Sequence, residues 1–272
     1  MNTETFASIA ALVKARSGIV LTPDKGYMLE TRLAPLLKQA GIPSLDALAL
    51  KLRDPRMESL AREVTEALTT NESSFFRDGK PFDHLKRLLP GLMAKRSPGH
   101  RLRIWSAACS TGQEAYSIAM ILTELGIRNA EIFGTDLSRE VVERARQGVF
   151  TQFEVQRGLP VQMLVKHFRQ EAGKWRVQPS LQDMVRFEER NLLGEHRTLG
   201  RFDVIFCRNV LIYFDPQTKG RVLNALGAQL APDGVMYLGG AETVLGLTER
   251  FTPIAGERGA YSLTAAPARM AL

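Results

Sequence analysis

Arg103-Ile-Trp-Ser-Ala-Ala-Cys-Ser-Thr-Gly-Gln-Glu114 is the stretch whose reading decides the fold. An apolar run ends in small residues and a glycine. A helical pattern follows at once, with Tyr116, Ile118, Ala119, Ile121, Leu122 and Leu125 on its apolar side. That is a strand, a tight loop and a helix, the place where an α/β sheet holds a nucleotide-like ligand at the carboxyl end of a strand. The loop is not Gly-x-Gly-x-x-Gly and lacks the lysine of a phosphate-binding loop, so phosphate is not the obvious ligand. Small residues here let an uncharged adenosine group, or an amino-acid carboxylate, come close to the backbone.

The partner of this loop is Asp136, at the end of a second short strand, Glu131-Ile-Phe-Gly-Thr-Asp136, roughly 20 residues on. A carboxylate there accepts both hydroxyls of a ribose; the competing role for Asp136 or Ser138 is to cap the helix that follows. From Leu102 onward strands alternate with helices. Strands are predicted at 102–107, 131–135, 185–189, 202–207, 234–239 and 259–263, and helices near 113–125, 138–147 and 216–230. Such alternation gives a largely parallel sheet wrapped by helices. Residues 150 to 183 break the rhythm with a helix near Val161–Phe168 and a polar segment around Gly173-Lys-Trp175, read as an insertion with one small hairpin. Phe202-Asp-Val-Ile-Phe-Cys-Arg208-Asn209 is a strand running into an Arg-Asn pair at the same rim, and Asn191 also lies just past a strand. Cys109 and Cys207 end neighbouring strands in a 3-2-1-4-5 order. They either line the ligand cleft or serve as small core residues.

Upstream, Phe6, Ile9, Ala10 and Val13 recur at helical spacing over 3–15. Gly18 stops that helix and Thr22-Pro23-Asp24 starts the next, with Leu29, Leu33, Leu36 and Leu37 inside and Pro35 placed to bend it. Ser44 caps a third helix, and 56–69 reads as a fourth. Residues 1–72 are therefore a helical domain. Residues 73–98 are a linking region with a helix over 81–95, and 99–265 form the α/β domain with an insertion at about 150–185. Thr69 to Arg77, Thr-Thr-Asn-Glu-Ser-Ser-Phe-Phe-Arg, is either a helix N-terminus or a polar elbow between domains.

The 272 residues carry a net charge of +7 and 44% apolar side chains, and the pI is near 9.6. The charge favours acidic partners, but no arginine-rich run or aromatic-basic stripe marks nucleic acid. No apolar run reaches membrane-spanning length, and Met1-Asn-Thr-Glu-Thr lacks the basic-then-apolar pattern of a secretory signal. Two cysteines fit a reducing cytoplasm. His84, His100, His167 and His196 are scattered and read as surface residues, and neither cysteine has a zinc-type spacing.

Together, Thr70-Asn71 to Phe75-Phe76-Arg77, Ser110-Thr-Gly-Gln-Glu114, Asn191-Leu192-Leu193 and Phe206-Cys-Arg-Asn-Val-Leu-Ile-Tyr213-Phe resemble the chemotaxis receptor methyltransferases, the CheR family. These are S-adenosylmethionine-dependent glutamate O-methyltransferases, and the resemblance runs from the helical front domain to Tyr261. It implies an all-helical N-terminal domain, a linker, and a Rossmann-like methyltransferase domain with a small β insertion. It implies that Asn71, Ser73 and Arg77 form a cofactor-contacting elbow, where threonine is usual at position 73. Glu114 then holds the cofactor's amino group, Asp136 its ribose, and Asn191, Leu192, Arg208 and Asn209 the far wall of its pocket. Arg77 and Tyr213 match residues close to the transferred methyl and the substrate carboxylate. The resemblance also implies S-adenosylhomocysteine as the product and the cytoplasmic helical bundle of a chemoreceptor as the substrate, with Arg32, Lys38 and Arg53 as docking candidates. Three departures stand out. Gly112-Gln-Glu-Ala-Tyr116 replaces the common Gly-Glu-Glu-Pro-Tyr; Pro35 and Leu36 stand where the second helix is often basic; and the insertion around Gly173–Gln182 looks shorter than in members that grip a receptor's C-terminal peptide, so no such tether is expected.

The chemistry agrees. A glutamate carboxylate, with a pKa of ~4.3, is already ionised at neutral pH, so methyl transfer to it needs no general base, and alignment and exclusion of water carry the rate. Two other classes compete. A nucleic-acid methyltransferase fits the charge, but Arg208-Asn-Val-Leu stands where amino-methylating DNA enzymes carry an Asn-Pro-Pro-Tyr-like motif. A non-catalytic S-adenosylmethionine sensor is opposed by the intact Arg77, Asp136, Arg208 and Tyr213.

Overall fold

The computed structural model describes residues 2–265, which divide into two units: residues 2–71 with 213–218, and residues 72–212 with 219–265. In the first unit the expected helices form as α1 (Thr3–Ser17), α2 (Gly26–Gln39), α3 (Leu45–Lys51) and α4 (Glu58–Ala67). Their ends are set by local chemistry. Asn2 Oδ1 accepts from Thr5 N–H at 2.7 Å to start α1, and Gly18, at φ 81°, closes it. Ser44 caps α3 in the same way through Ala47 N–H. Pro35 sits exposed inside α2, which runs on to Gln39. Ile9, Val13, Leu29, Leu33, Leu48 and Val64 make one core. Segment 213–218 belongs with it: Val20 N–H donates to the Tyr213 carbonyl at 2.8 Å, and Ile19 bridges to Phe214.

The second unit opens with α5 (Lys80–Ala94), whose Phe82, Leu85, Leu89 and Leu92 are buried. Then come β1 (Leu102–Ala107), α6 (Gln113–Glu124), β2 (Ala130–Asp136) and α7 (Arg139–Gln147). The insertion follows: β3 (Val149–Phe150), α8 (Gln152–Gln156), α9 (Val161–His167), β4 (Phe168–Glu171), β5 (Lys174–Val177) and α10 (Pro179–Gln182). The chain returns with β6 (Val185–Glu189), β7 (Phe202–Cys207), α11 (Pro216–Gln229), β8 (Leu230–Leu238), β9 (Phe251–Pro253) and β10 (Ala260–Leu263). The main sheet runs β6-β2-β1-β7-β8-β10-β9. Its first five strands are parallel and keep the expected 3-2-1-4-5 order; β10 and β9 add antiparallel. Strand β7 is buried at all six positions, as a strand covered on both faces must be.

Two expectations need correction. The insertion is a three-stranded sheet, β3-β5-β4, rather than one hairpin, because Val149–Phe150 pairs with Trp175–Arg176. Two residues are too short a strand to show an alternation in sequence. The histidines are not all on the surface either: His167 and His196 are buried. His167 Nε2 meets Glu124 Oε1 at 2.9 Å. His196 Nε2 donates to the Leu192 carbonyl at 3.2 Å, and burial holds its pKa below the usual histidine value.

Phe75 links the elbow before α5 to the insertion. It is fully buried, and its ring meets Phe150 and Phe168 edge-on at centroid distances of 4.9 and 5.6 Å. Its carbonyl faces Gly158, where a Cβ would stand 2.1 Å from the Phe75 oxygen and φ is +84°. Glu72 and Arg157 close the same junction with an ion pair at 2.7 Å. Phe75→Ala should therefore cost about 3–5 kcal/mol, read as a fall in the denaturant midpoint of the second unit's transition. Phe76→Ala, at the half-buried neighbour, should cost clearly less. Gly158→Ala should be destabilising despite its small size, through the clash and the positive φ together.

Candidate active site

Four parallel strands, β6, β2, β1 and β7, deliver their carboxyl ends to one rim: Ala107 pairs with both Thr135 and Cys207, and Asp136 pairs with Glu189. The loops that follow carry most of the residues singled out in the sequence. Their backbones are unusual. The described non-glycine residues with positive φ are Phe76, Asp78, Ala108, Ser110, Ala172 and Asn209; all but Ala172 lie in the elbow or in the loops after β1 and β7. Left-handed backbone costs of order 1 kcal/mol or more for such residues and persists where the surroundings impose it.

The loop after β1 turns at Ala108 and Ser110 and enters α6 at Gly112, whose φ is +94°. A Cβ on Gly112 would lie 3.0–3.2 Å from Ala145, Phe187 and Tyr116, so only glycine lets α6 start so close to its neighbours. The turn delivers Ser110 N–H to Asp136 Oδ2 at 2.8 Å, while Asp136 Oδ1 accepts from Ser138 N–H at 3.1 Å. Asp136 thus joins two loops just ahead of α7, and its carboxylate is held in one orientation, with 8% of the residue exposed. The Asp136 carbonyl accepts from Arg190 N–H at 2.8 Å, which sets the Asn191–Leu192 loop beside it. Asn191 Oδ1 accepts from Leu193 N–H at 2.9 Å, and Leu192 is buried.

Glu114, on the first turn of α6, meets Arg208, just past β7. Arg208 Nη1 donates to Glu114 Oε2 at 2.9 Å, and Ser106 Oγ donates to Glu114 Oε1 at 2.8 Å. Arg208 Nη2 donates to the Arg77 carbonyl at 2.8 Å and to Asp78 Oδ2 at 2.7 Å. The Arg208 side chain is 2% exposed, and its Nε is a buried donor with no partner. One guanidinium thus ties α6, the β7 rim and the elbow together. Arg77 itself is half-buried, and its Nη1 donates to the Glu72 carbonyl at 3.1 Å. Ser73 is half-buried on the same elbow. The elbow is held further by Ser117 Oγ, which accepts from Phe76 N–H at 3.0 Å.

Other predicted residues lie in the first unit. Asn71 Nδ2 donates to Thr69 Oγ1 at 3.0 Å, and Tyr213 is in the segment that pairs with Val20. Arg32 donates to the Thr69 carbonyl and the Thr70 hydroxyl, so its guanidinium ties α2 to the chain that leaves α4. Lys38 is exposed, and Arg53 pairs with Glu4 at 3.1 Å on the surface.

Sequence reasoning missed Glu242. Its Oε2 accepts from Asn209 N–H at 2.8 Å and Gly239 N–H at 2.6 Å, and its Oε1 from Val210 N–H at 2.9 Å. The signal was present: Gly239-Gly240-Ala241-Glu242 after an apolar strand repeats the small-residue turn and acid seen after β1. Of the two readings open for the cysteines, burial favours small core residues over cleft lining. Cys109 and Cys207 are 1% and 0% exposed, and burial pushes both thiols well above their usual range. Below its pKa a thiol is uncharged and a poor nucleophile. Both should therefore resist iodoacetamide at pH 8 in the native protein, with or without S-adenosylhomocysteine, and react once denatured, as read by intact mass.

Comparison with known proteins completes the picture. Residues 71–260 match the family model described as CheR methyltransferase, SAM binding domain, and residues 4–69 match CheR methyltransferase, all-alpha domain. The chain is 37% identical over 254 residues to the chemotaxis protein methyltransferase Cher2 of Pseudomonas putida, covering 90% of this chain and 92% of that one. It is 38% identical over 255 residues to chemotaxis protein methyltransferase 1 of Pseudomonas aeruginosa, with the same coverage. With the chemotaxis protein methyltransferase of Escherichia coli it shares 36% identity over 255 residues, covering 91% of this chain and 87% of that one. With both of its domains matched and its relatives aligned almost end to end, the chain belongs to the CheR methyltransferase family.

Proposed function

We propose that the rim formed by Glu114, Asp136, Asn191, Leu192, Arg208 and Asn209 holds S-adenosylmethionine, and that the enzyme methylates glutamate carboxylates of chemoreceptors to tune chemotactic signalling. The observation that carries the reading is the Arg208 junction, where a buried guanidinium joins Glu114 to the backbone of Arg77. The residues suit the amino-acid end of the cofactor. Arg208 Nε is a buried donor without a partner, matched to a carboxylate acceptor. Glu114 offers a buried carboxylate for an ammonium. Asp136, held by two backbone donors, offers fixed acceptors for a ribose. Asn71 and Ser73 complete the elbow side.

When bound, the cofactor would supply a methyl group on a cationic sulfur, an electrophile for the ionised carboxylate oxygen. The chain's residues align the reactants. Arg77 orients a carboxylate with its planar fork, and the Tyr213 hydroxyl orients the acceptor. A salt bridge that is too tight would stabilise the nucleophile more than the transition state, in which its charge is falling. Arg77 therefore acts as a guide.

We assign docking on the receptor's helical bundle to residues 1–72, with Lys38 and Arg53 at the contact and Arg32 shaping it from behind. Residues 73–98 link, and 99–265 carry out transfer, with the insertion at about 150–185. The enzyme works in the cytoplasm without nucleic acid, without a C-terminal peptide tether and without inserting into the membrane. Among the described residues no helix is long and apolar enough to cross one.

The test is transfer of labelled methyl from S-adenosylmethionine to receptor-containing membranes by purified protein. The label should be released by mild base, as from an ester, and calorimetry should show S-adenosylhomocysteine binding. No heat of binding, or label incorporated only into DNA or RNA, overturns the reading. Arg77→Lys should lose at least tenfold in kcat, because an ammonium cannot reproduce the fork. Asp136→Asn should raise the Kd for S-adenosylhomocysteine about tenfold or more, since an amide replaces one charged acceptor by a donor.

A further inference from the structure

The loop from Arg208 to Ile212 leads directly into Tyr213, yet within the second unit it belongs to neither a helix nor a strand up to Val210. Its backbone N–H groups need partners, and one side chain supplies them for three residues, Asn209, Val210 and Ile212. Glu242 accepts from Asn209 and Gly239 with Oε2, and from Val210 and Ile212, the latter at 3.3 Å, with Oε1. Four N–H donors from two loops, those after β7 and β8, thus converge on one carboxylate. The approach leaves no spare room. A Cβ at Gly239 would lie 2.7 Å from Glu242 Oε2, 2.8 Å from Asn209 Nδ2 and 2.9 Å from Asn209 N. Asn209 meanwhile sits at φ +58°, in the left-handed region that asparagine enters more readily than most residues. The carboxylate is itself anchored, because Glu242 N–H donates to the Gly239 carbonyl at 2.9 Å and Val244, two residues on, is fully buried.

We propose that Glu242 is a positioning residue for methyl transfer: its carboxylate clamps the turn Asn209–Ile212 against Gly239, and so fixes Arg208 and Asn209 on the cofactor side of the rim. The inference rests on the methyltransferase reading above. Glutamate suits the task because both oxygens accept, and each takes two donors here. Glutamine would keep one accepting oxygen and turn an NH2 group toward two N–H donors. Aspartate would keep the charge but fall one methylene short.

The experiment compares the full-length wild type with Glu242→Gln, Glu242→Asp and Gly239→Ala, using receptor methylation kinetics, calorimetry with S-adenosylhomocysteine, and hydrogen exchange by mass spectrometry. Gly239→Ala presses on the same clamp while leaving the charge of Glu242 in place. Both Glu242→Gln and Gly239→Ala should lower kcat at least tenfold and speed exchange in the peptide spanning 208–214 at least tenfold. Peptides from β1, β2 and α6 should stay as protected as in the wild type, and Glu242→Asp should recover part of the turnover. Loop exchange that accelerates while kcat stays within twofold of wild type overturns the proposal. So does a general loss of protection across β1, β2, β7 and β8, which would mean that Glu242 only holds the sheet together. If the wild type itself binds no S-adenosylhomocysteine, the methyltransferase reading falls and takes this one with it; wild-type binding and turnover with unaffected variants sinks this one alone.

Discussion

A single guanidinium, that of Arg208, is what the rest of the second unit's rim depends on. Burying it costs several kcal/mol of lost hydration. The structure offsets that cost with the Glu114 carboxylate, the Arg77 carbonyl, the Asp78 carboxylate and the face of the Phe82 ring, 5.6 Å from the guanidinium carbon. These acceptors come from α6, the elbow and α5. Arg208 itself follows β7, so the guanidinium fixes the mutual placement of three regions that are far apart in the chain: the elbow leading into α5, α6, and the end of β7. A hydrophobic side chain could fill the space, but it could not align a carbonyl and two carboxylates.

Most of the left-handed non-glycine backbone among the described residues lies around this junction; Ala172, in the insertion, is the exception. Ala108, Ser110 and Asn209 take left-handed conformations directly after β1 and β7, and Phe76 and Asp78 do so in the elbow. Most are held by a named partner nearby: Asp136 for Ser110 N–H, Glu242 for Asn209 N–H, Ser117 for Phe76 N–H, and Arg208 for Asp78. Asp136 and Glu242 act alike, each gathering N–H groups from two loops, and neither role needs a strong local propensity. Tertiary contacts set the conformation, and the sheet sets the contacts.

The division between legible and illegible features follows the range of the forces. Helices α1 to α4 and the five parallel strands were readable because a buried face imposes its period on neighbouring residues, and Asn2, Ser44 and Gly18 act within one turn. The strand β3, two residues long, and the insertion sheet it completes were not readable, because pairing with Trp175 and Arg176 comes from far along the chain. His167 and His196 were misread for a related reason. Their burial depends on partners far along the chain: His167 meets Glu124, and the His196 ring packs on Trp105.

The sequence by itself determined the fold class, the order of the parallel strands and the residue types at the rim, since short-range periodicity and strand-end loops are local properties. It also determined membership of the family, through motifs spread over nearly the whole chain. Only the tertiary structure decided which of those residues meet. It paired Glu114 with Arg208, turned Arg32 toward Thr69 and Thr70, sealed Cys109 and Cys207 in the core, and brought Glu242 to Asn209. Hydrogen bonds and ion pairs act over about 3 Å and are strongly directional. Partners that stand 33 residues apart, as Asn209 and Glu242 do, or 94 apart, as Glu114 and Arg208 do, are therefore chosen by the packing of the sheet and its loops.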